Sequence, residues 1–339
     1  MEATICDLCG SAEHEFLFSQ KDIINKTAAG QYNMVRCKNC GLCYINPRPT
    51  TEEIIGCYPK EEYSFWGRQD ILKCKALLIL RSLINFAYVS DSLLPLKLMA
   101  RFILFPLKLT YRGRKIITRN IMPKAKSYLD IKNRGRILDI GCGSGENIHI
   151  FGERESISNL GRMGWQVYGV EPSDKARSIV TERYGINCYP DLFEASFKDG
   201  FFDIIRMNWS LEHCHMPTEY LKECKRILSD KGKLLINIPN YQGITYKIFP
   251  NCVEVPVHLY HFTVPVFKKY CEKIAFKIMD YYTFSYLILF LRAFQLMGYD
   301  SFYERVLKNP TEAIRLQAFL NLMSSMDFGD DMIFCLTKS

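Results

Sequence analysis

No stretch of this sequence approaches the ~18–20 uninterrupted apolar residues that a membrane-spanning helix needs. The N-terminus, MEATICDLCGSAEHEF, has acids and cysteines where a signal peptide carries a basic start and an apolar run. Both lacks point to a cytoplasmic chain with reduced thiols. Acids are also nearly missing from residues 68–126, where only Asp70 and Asp91 stand against 13 Lys or Arg; this stretch carries +11, whereas the whole chain nets +8. An anionic partner, such as a membrane surface, a phosphorylated carrier or RNA, is to be sought there first. Of the 339 residues, 48% are hydrophobic and 24% charged, a balance that excludes a disordered, collagenous or disulfide-stapled chain.

Among 14 reduced cysteines, those paired as CxxC mean metal or redox chemistry. Two such pairs, Cys6 with Cys9 and Cys37 with Cys40, are each followed by glycine, Gly10 and Gly41. Two thiolates on a tight turn can grip one ion, glycine permits the backbone conformation that follows, and four thiolates close a tetrahedral structural zinc site. A redox pair or scattered thiols are the plainer alternatives, and the 27-residue gap between the pairs exceeds the usual ribbon spacing. The coincidence of two knuckles favours zinc, with Cys43 a weaker competing ligand. The other cysteines read as small core residues.

Residues 71–115 are rich in Leu and Ile but broken by Arg81, Asp91, Lys97, Arg101 and Lys108, and Pro95 and Pro106 divide them into short helical pieces. Such helices fit a membrane interface, where Lys and Arg meet lipid phosphates. They fit equally an apolar stripe buried on a neighbouring domain.

The segment RILDIGCGSG, residues 136–145, reads as a buried strand running into a glycine-rich turn, with a helix opening at Glu146. That is the start of a doubly wound α/β sheet, whose ligands lie at the carboxyl ends of the strands. A dinucleotide fingerprint would need its third glycine at position 146, where Glu146 would repel a pyrophosphate, so an oxidoreductase is disfavoured. The spacing is GxGxG, preceded by Asp139. Glu171, in GVEP after the next strand, can accept both ribose hydroxyls of a nucleoside.

At these residues the chain resembles the class I S-adenosylmethionine-dependent methyltransferases. ILDIGCGSGE is similar to their first motif, VYGVEPS to their second, and residues 199–240 to their fourth strand, helix and fifth strand. The resemblance implies a Rossmann-like seven-stranded sheet. Gly141, Gly143 and Gly145 would line the amino acid part of the cofactor, with Asp139 and Cys142 among the binding residues. Glu171 with Pro172 would hold the ribose, Asp191 and Leu192 would flank the adenine, and Asn208 would sit beside the methionine moiety. Residues 275–284 and 331–338 would be the last two strands, an antiparallel pair, with 286–328 a helical insertion beside the active site. The segment between Gly145 and Gly164 is several residues longer than the family usually has.

A zinc-knuckle head on such a body resembles a bacterial subgroup associated with sugar and cell-surface polysaccharide biosynthesis. The expected division is a zinc ribbon at 1–60, an apolar basic helical segment at 61–125 and the methyltransferase domain at 126–339. The resemblance implies a sugar, glycan or lipid-linked acceptor, and the segment 71–115 suggests peripheral contact with an anionic membrane. A hydroxyl acceptor needs a base. His261 is the first choice, because alternate residues of a short extended segment after strand five can face the acceptor, with His258 and Tyr260 second; a loop-holding role is the alternative. Glu212 and His213 are similar to a metal-dependent branch that reads Glu-x-x-Glu-His, but Trp209 stands at the first Glu. No catalytic metal is therefore expected, and Glu212 is read as a helix-start acid. An RNA methyltransferase is disfavoured, because the basic segment interleaves Leu and Ile rather than aromatics, and no nucleic acid partner is expected. A non-catalytic zinc scaffold is disfavoured by the intact Asp139, glycines and Glu171.

Overall fold

Five parallel strands form the centre of the body: β4 (Arg136–Ile140), β5 (Gln166–Val170), β6 (Asn187–Tyr189), β7 (Phe202–Asn208) and β8 (Leu228–Pro239). The computed structural model describes residues 1–58, 71–88, 93–123, 128, 134–145 and 157–339. The helix expected from Glu146, and much of the long crossover, lie outside the described residues. With β10 (Phe276–Phe284) and β11 (Asp331–Lys338), the seven-stranded sheet runs β10-β11-β8-β7-β4-β5-β6. β11 is antiparallel to both of its neighbours. The near-continuous burial of β4, β7 and β11 is that of strands covered on both faces. Strand order reverses at β4, which opens a crevice at the strand ends where the glycine turn sits. Across β4 and β7 the buried Arg206 donates through Nε to Asp139 Oδ1 at 3.0 Å and through Nη2 to Oδ2 at 2.5 Å. Removing either partner would strand a buried charge.

The insertion after β10 forms three helices, Leu287–Leu296, Asp300–Lys308 and Pro310–Ser325. Leu287, Leu291, Val306 and Leu320 share one buried cluster with Ile84, Leu104 and Ile117 of the basic segment, so the segment and the insertion form a single apolar cap. Lys115 pairs with Glu304 across it at 3.1 Å. Burial is incomplete: around helix Leu94–Ile103, residues Leu93, Leu98, Met99, Phe102 and Ile103 remain exposed, Phe102 by 80%. Among the described residues, no helix is long and apolar enough to cross a membrane.

The head contributes β1 (His14–Lys21), β2 (Gln31–Cys37) and β3 (Cys43–Ile45), all antiparallel. Its fourth strand comes from the body: β9 (Tyr260–His261) pairs Cys43 with His261 and Tyr44 with Tyr260. The edge that β3 would otherwise leave open is thereby covered. Asp7, between the first two cysteines, accepts from Thr218 N at 3.0 Å and from Tyr270 Oη at 2.8 Å. It supplies the N-terminal cap that helix Pro217–Ile227 lacks from its own residues. Lys269 and Lys273 donate to the carbonyl oxygens of Cys40 and Leu8 at 2.9 and 2.7 Å.

Candidate active site

The glycine turn after β4 is shaped by close approach. Gly141 has φ +76°, and a Cβ there would lie 2.6 Å from Ser210 Cβ in the loop after β7. Gly143 has φ +54°, and a Cβ there would meet nothing within 4 Å among the described residues, so its backbone borders the cavity without a side chain between. Glu171 closes this end: its Oε2 accepts from Gly143 N at 2.9 Å and its Oε1 from Ser173 N at 3.0 Å. Burial raises its pKa, against the two backbone donors. A carboxylate offers about four lone-pair positions, so two remain for hydroxyl donors. An exposed backbone cradle beside a free acidic acceptor fits S-adenosylmethionine.

Gly141, Cys142, Gly143 and Ser144 line a cavity of about 710 Å³. Met122, Tyr286, Ile288, Leu289, Phe290 and Leu296, largely from the apolar cap, line it as well. Trp209, His213, Glu254, His258 and Asp331 line its wall. Trp209 holds φ +51° in the loop after β7 and donates its indole N–H to Asp331 Oδ1 at 2.8 Å. Burial, opposed by that indole, pushes the Asp331 carboxyl up to about 8.

Of the other residues picked from the sequence, Asp139 faces Arg206 and Gly145 closes the turn through its N–H to Cys142 O at 3.1 Å. The Pro172 carbonyl accepts from Arg177 at 2.8 Å. Asp191 accepts from Tyr220 Oη at 2.7 Å, and Leu192 is fully buried in the core. Asn208 accepts from Asn237 Nδ2 at 2.7 Å. Neither these six nor the buried Glu171 is among the residues that line the cavity; Glu171 reaches it through Gly143. His258 does line it, whereas His261 lies behind, 6.3 Å from it between ring centroids, with an Nε2 that meets no protein partner. Tyr260 departs from expectation. As the neighbour of His261 in a strand it points the other way, its hydroxyl taken by Arg48 at 2.8 Å and the His215 carbonyl at 3.1 Å. Burial pushes the His258 imidazole down to about 4 and that of His261 to about 3, so both rings are neutral at pH 7.

Glu212 stands in the first turn of the short 3-10 helix Leu211–His213, where a helix-start acid belongs, but its carboxyl group is fully buried and, among the described residues, neither oxygen meets a protein donor. The expectation of no catalytic metal rested on Trp209, yet Glu212, His213 and His258 each bring one potential ligand atom within 4.8 Å of the others. Sequence reasoning missed His258 as their companion, because 45 residues separate it from His213.

In the head, Cys6 Sγ lies 3.4 Å from Cys40 Sγ and Cys9 Sγ 3.5 Å from Cys37 Sγ, all four sulfurs falling within 4.8 Å. A tetrahedral zinc with 2.3 Å bonds spaces its sulfurs by about 3.8 Å. Gly10 and Gly41 hold φ +73° and +84° and donate to the Cys6 and Cys37 carbonyls at 2.8 and 3.0 Å, the turn that each knuckle requires. Cys43 stands apart from the cluster, in β3.

The sheet order, the reversal at β4 and the glycine cradle define a Rossmann-like methyltransferase architecture. Residues 111–284, just over half of the chain, match the family model described as a methyltransferase domain, and the chain belongs to that family. It is 29% identical over 114 residues to the ubiquinone biosynthesis O-methyltransferase of Xanthomonas oryzae pv. oryzae (strain PXO99A), over 31% of this chain and 43% of that protein. It is 25% identical over 143 residues to 27-O-demethylrifamycin SV methyltransferase of Amycolatopsis mediterranei (strain S699), over 38% and 48% respectively. The chain thus spans less than half the length of these curated relatives. A solved structure of a SAM-dependent methyltransferase from Archaeoglobus fulgidus is similar with a TM-score of 0.42 and 19% identity, over 61% of this chain and 88% of that one. For Haemonchus contortus phosphoethanolamine N-methyltransferase 2 in complex with S-adenosyl-L-methionine, the TM-score is 0.40 and the identity 18%, over 61% and 49%.

Proposed function

We propose that this protein uses S-adenosylmethionine to methylate a hydroxyl of an amphiphilic small molecule, a lipid-linked sugar or glycan intermediate, at the surface of an anionic membrane. The observation that carries the reading is the shared cavity, lined both by the glycine turn and by apolar cap residues. Bound there, S-adenosylmethionine supplies an electrophilic methyl group. The chain's own work is then to align the acceptor and manage its proton. Gly141, Gly143 and Glu171 hold the cofactor, with Gly145 closing the turn; His258 meets the acceptor, with His261 behind it. The two relatives named for O-methyl chemistry support oxygen as the acceptor atom.

Arg81 and Arg119 of the basic segment line the cavity, where they suit a phosphate on the acceptor. The exposed Leu93, Leu98, Met99, Phe102 and Ile103 would enter the lipid interface while the neighbouring Lys97, Arg101 and Lys108 meet anionic headgroups. The head holds a structural zinc on Cys6, Cys9, Cys37 and Cys40, which keeps β3 in place under His261. Head, apolar cap and methyltransferase body are the chain's three working parts. Incubation with methyl-labelled cofactor and anionic vesicles carrying polyprenyl-phosphate-linked sugars should label the lipid fraction. Label appearing only in soluble phenolic acceptors would overturn the acceptor class.

A further inference from the structure

We infer that Glu212, His213 and His258 form a divalent transition-metal site in the wall of the acceptor cavity. The proposal rests on the methyltransferase reading for its role, though not for its existence.

A buried carboxyl group and two half-buried imidazoles converge there. The Glu212 carboxyl group is fully buried, and among the described residues neither oxygen meets a protein donor. Leaving such a group unpaired in the interior is costly. His213 Nδ1 lies 2.8 Å from the carbonyl oxygen of Val257. That oxygen only accepts, so Nδ1 carries the proton and Nε2 presents a lone pair. The Tyr58 hydroxyl, 3.1 Å from the same Nδ1, supports the same ring orientation. His258 stands edge-on to His213 with centroids 4.7 Å apart. One ligand atom from each of the three residues falls within 4.8 Å of the others. Bonds of ~2.1 Å in a tetrahedral site space ligand atoms by about 3.4 Å, so a small inward turn of the side chains suffices.

The backbone holds this arrangement in advance. Leu259 N donates to Glu212 O at 2.9 Å, which, with the bond from His213 to Val257, ties the Glu212 turn to the His258 segment at two points. Glu254 Oε2, 3.7 Å from His258 Nε2, is an outer carboxylate of the kind that orients ligating imidazoles. β9 follows within two residues and is pinned to the head by its pairing with β3.

Two imidazoles with one carboxylate favour zinc, iron or another first-row transition ion over magnesium, which prefers an all-oxygen shell. Three protein ligands leave positions open, and His213 and His258 face the cavity. An acceptor hydroxyl entering an open position would bind the ion through oxygen and lose its proton to water, its pKa lowered by the positive charge. The site thus selects acceptors with a hydroxyl, or two adjacent ones, at their polar end.

The test uses the full chain loaded with zinc and desalted. The wild type should hold one equivalent of metal more than Glu212→Gln or His258→Ala, while both variants still unfold cooperatively and bind S-adenosylhomocysteine within twofold of wild type. His258→Gln replaces the alanine variant if that one fails to fold. Equal metal content in wild type and both variants overturns the site, whatever the head binds. Loss of S-adenosylhomocysteine binding by the wild type would instead strike the methyltransferase reading, and leaves the metal count standing as its own result.

Discussion

The two ends of the cavity are built on opposite principles. The cofactor end is local: ten consecutive residues make strand β4 and its turn, and one carboxylate, Glu171, completes it from the adjacent strand. The acceptor end is assembled from the loop after β7, the segment before β9, the apolar cap and, through β3, the head. The cofactor end can therefore stay the same while the acceptor end changes with whichever parts surround it, which is how one sheet serves many substrates.

The sharpest way to separate the ends is Gly143→Val. A β-branched residue at φ +54° is strained and fills the cradle. Calorimetry should show S-adenosylhomocysteine affinity reduced by about 100-fold or more, roughly 2.7 kcal/mol, with the fold retained; unchanged affinity would place the cofactor elsewhere. Cys37→Ser attacks the other end from a distance. Metal analysis should show loss of the head's ion, and denaturant unfolding a loss of about 3 kcal/mol or more as the head loosens. Turnover should fall with cofactor affinity kept, because β3 no longer holds β9.

Asp331→Asn probes the wall between the two ends. Its carboxyl is raised from 3.8 to about 8, so between those values the folded protein binds more protons than the unfolded chain and stability falls as pH rises. Across pH 5 to 8 the Asp331 carboxyl should cost the wild type on the order of 2 kcal/mol that the variant keeps, read as the difference between the two proteins in thermal unfolding at each pH, because the buried histidines contribute equally to both. Parallel pH profiles would show that Asp331 ionises freely. The smallest effect is expected at the cap: Phe102→Asp should reduce pelleting with anionic vesicles by about tenfold, the transfer energy of one aromatic side chain. Turnover of a soluble acceptor should be unaffected.

The same contrast explains what was legible in the sequence. GxGxG after a buried strand, Glu171 after the next, the CxxC knuckles and the last two strands are local patterns, each written in about ten residues. The pairing of His261 with Cys43 joins a two-residue strand to a three-residue one across more than 200 positions, and neither has a periodic signature. Asp7 reads as a spacer inside a knuckle, yet it caps a helix of the body. Tyr260 was grouped with His258 and His261 by adjacency, whereas strand alternation turns its hydroxyl to Arg48. Asp191 and Leu192 follow the family's order, but in this structure one holds Tyr220 and the other packs in the core. The gathering of Glu212, His213 and His258 depends on backbone bonds between two loops, which only the fold reveals.

The central claim is that the β4 turn and Glu171 bind S-adenosylmethionine. Calorimetric titration of the purified protein with S-adenosylmethionine, S-adenosylhomocysteine and NADH in one buffer tests it most directly. The account predicts micromolar binding of the first two and none of NADH; NADH binding, or binding of none in the presence of acceptor-bearing vesicles, would contradict it.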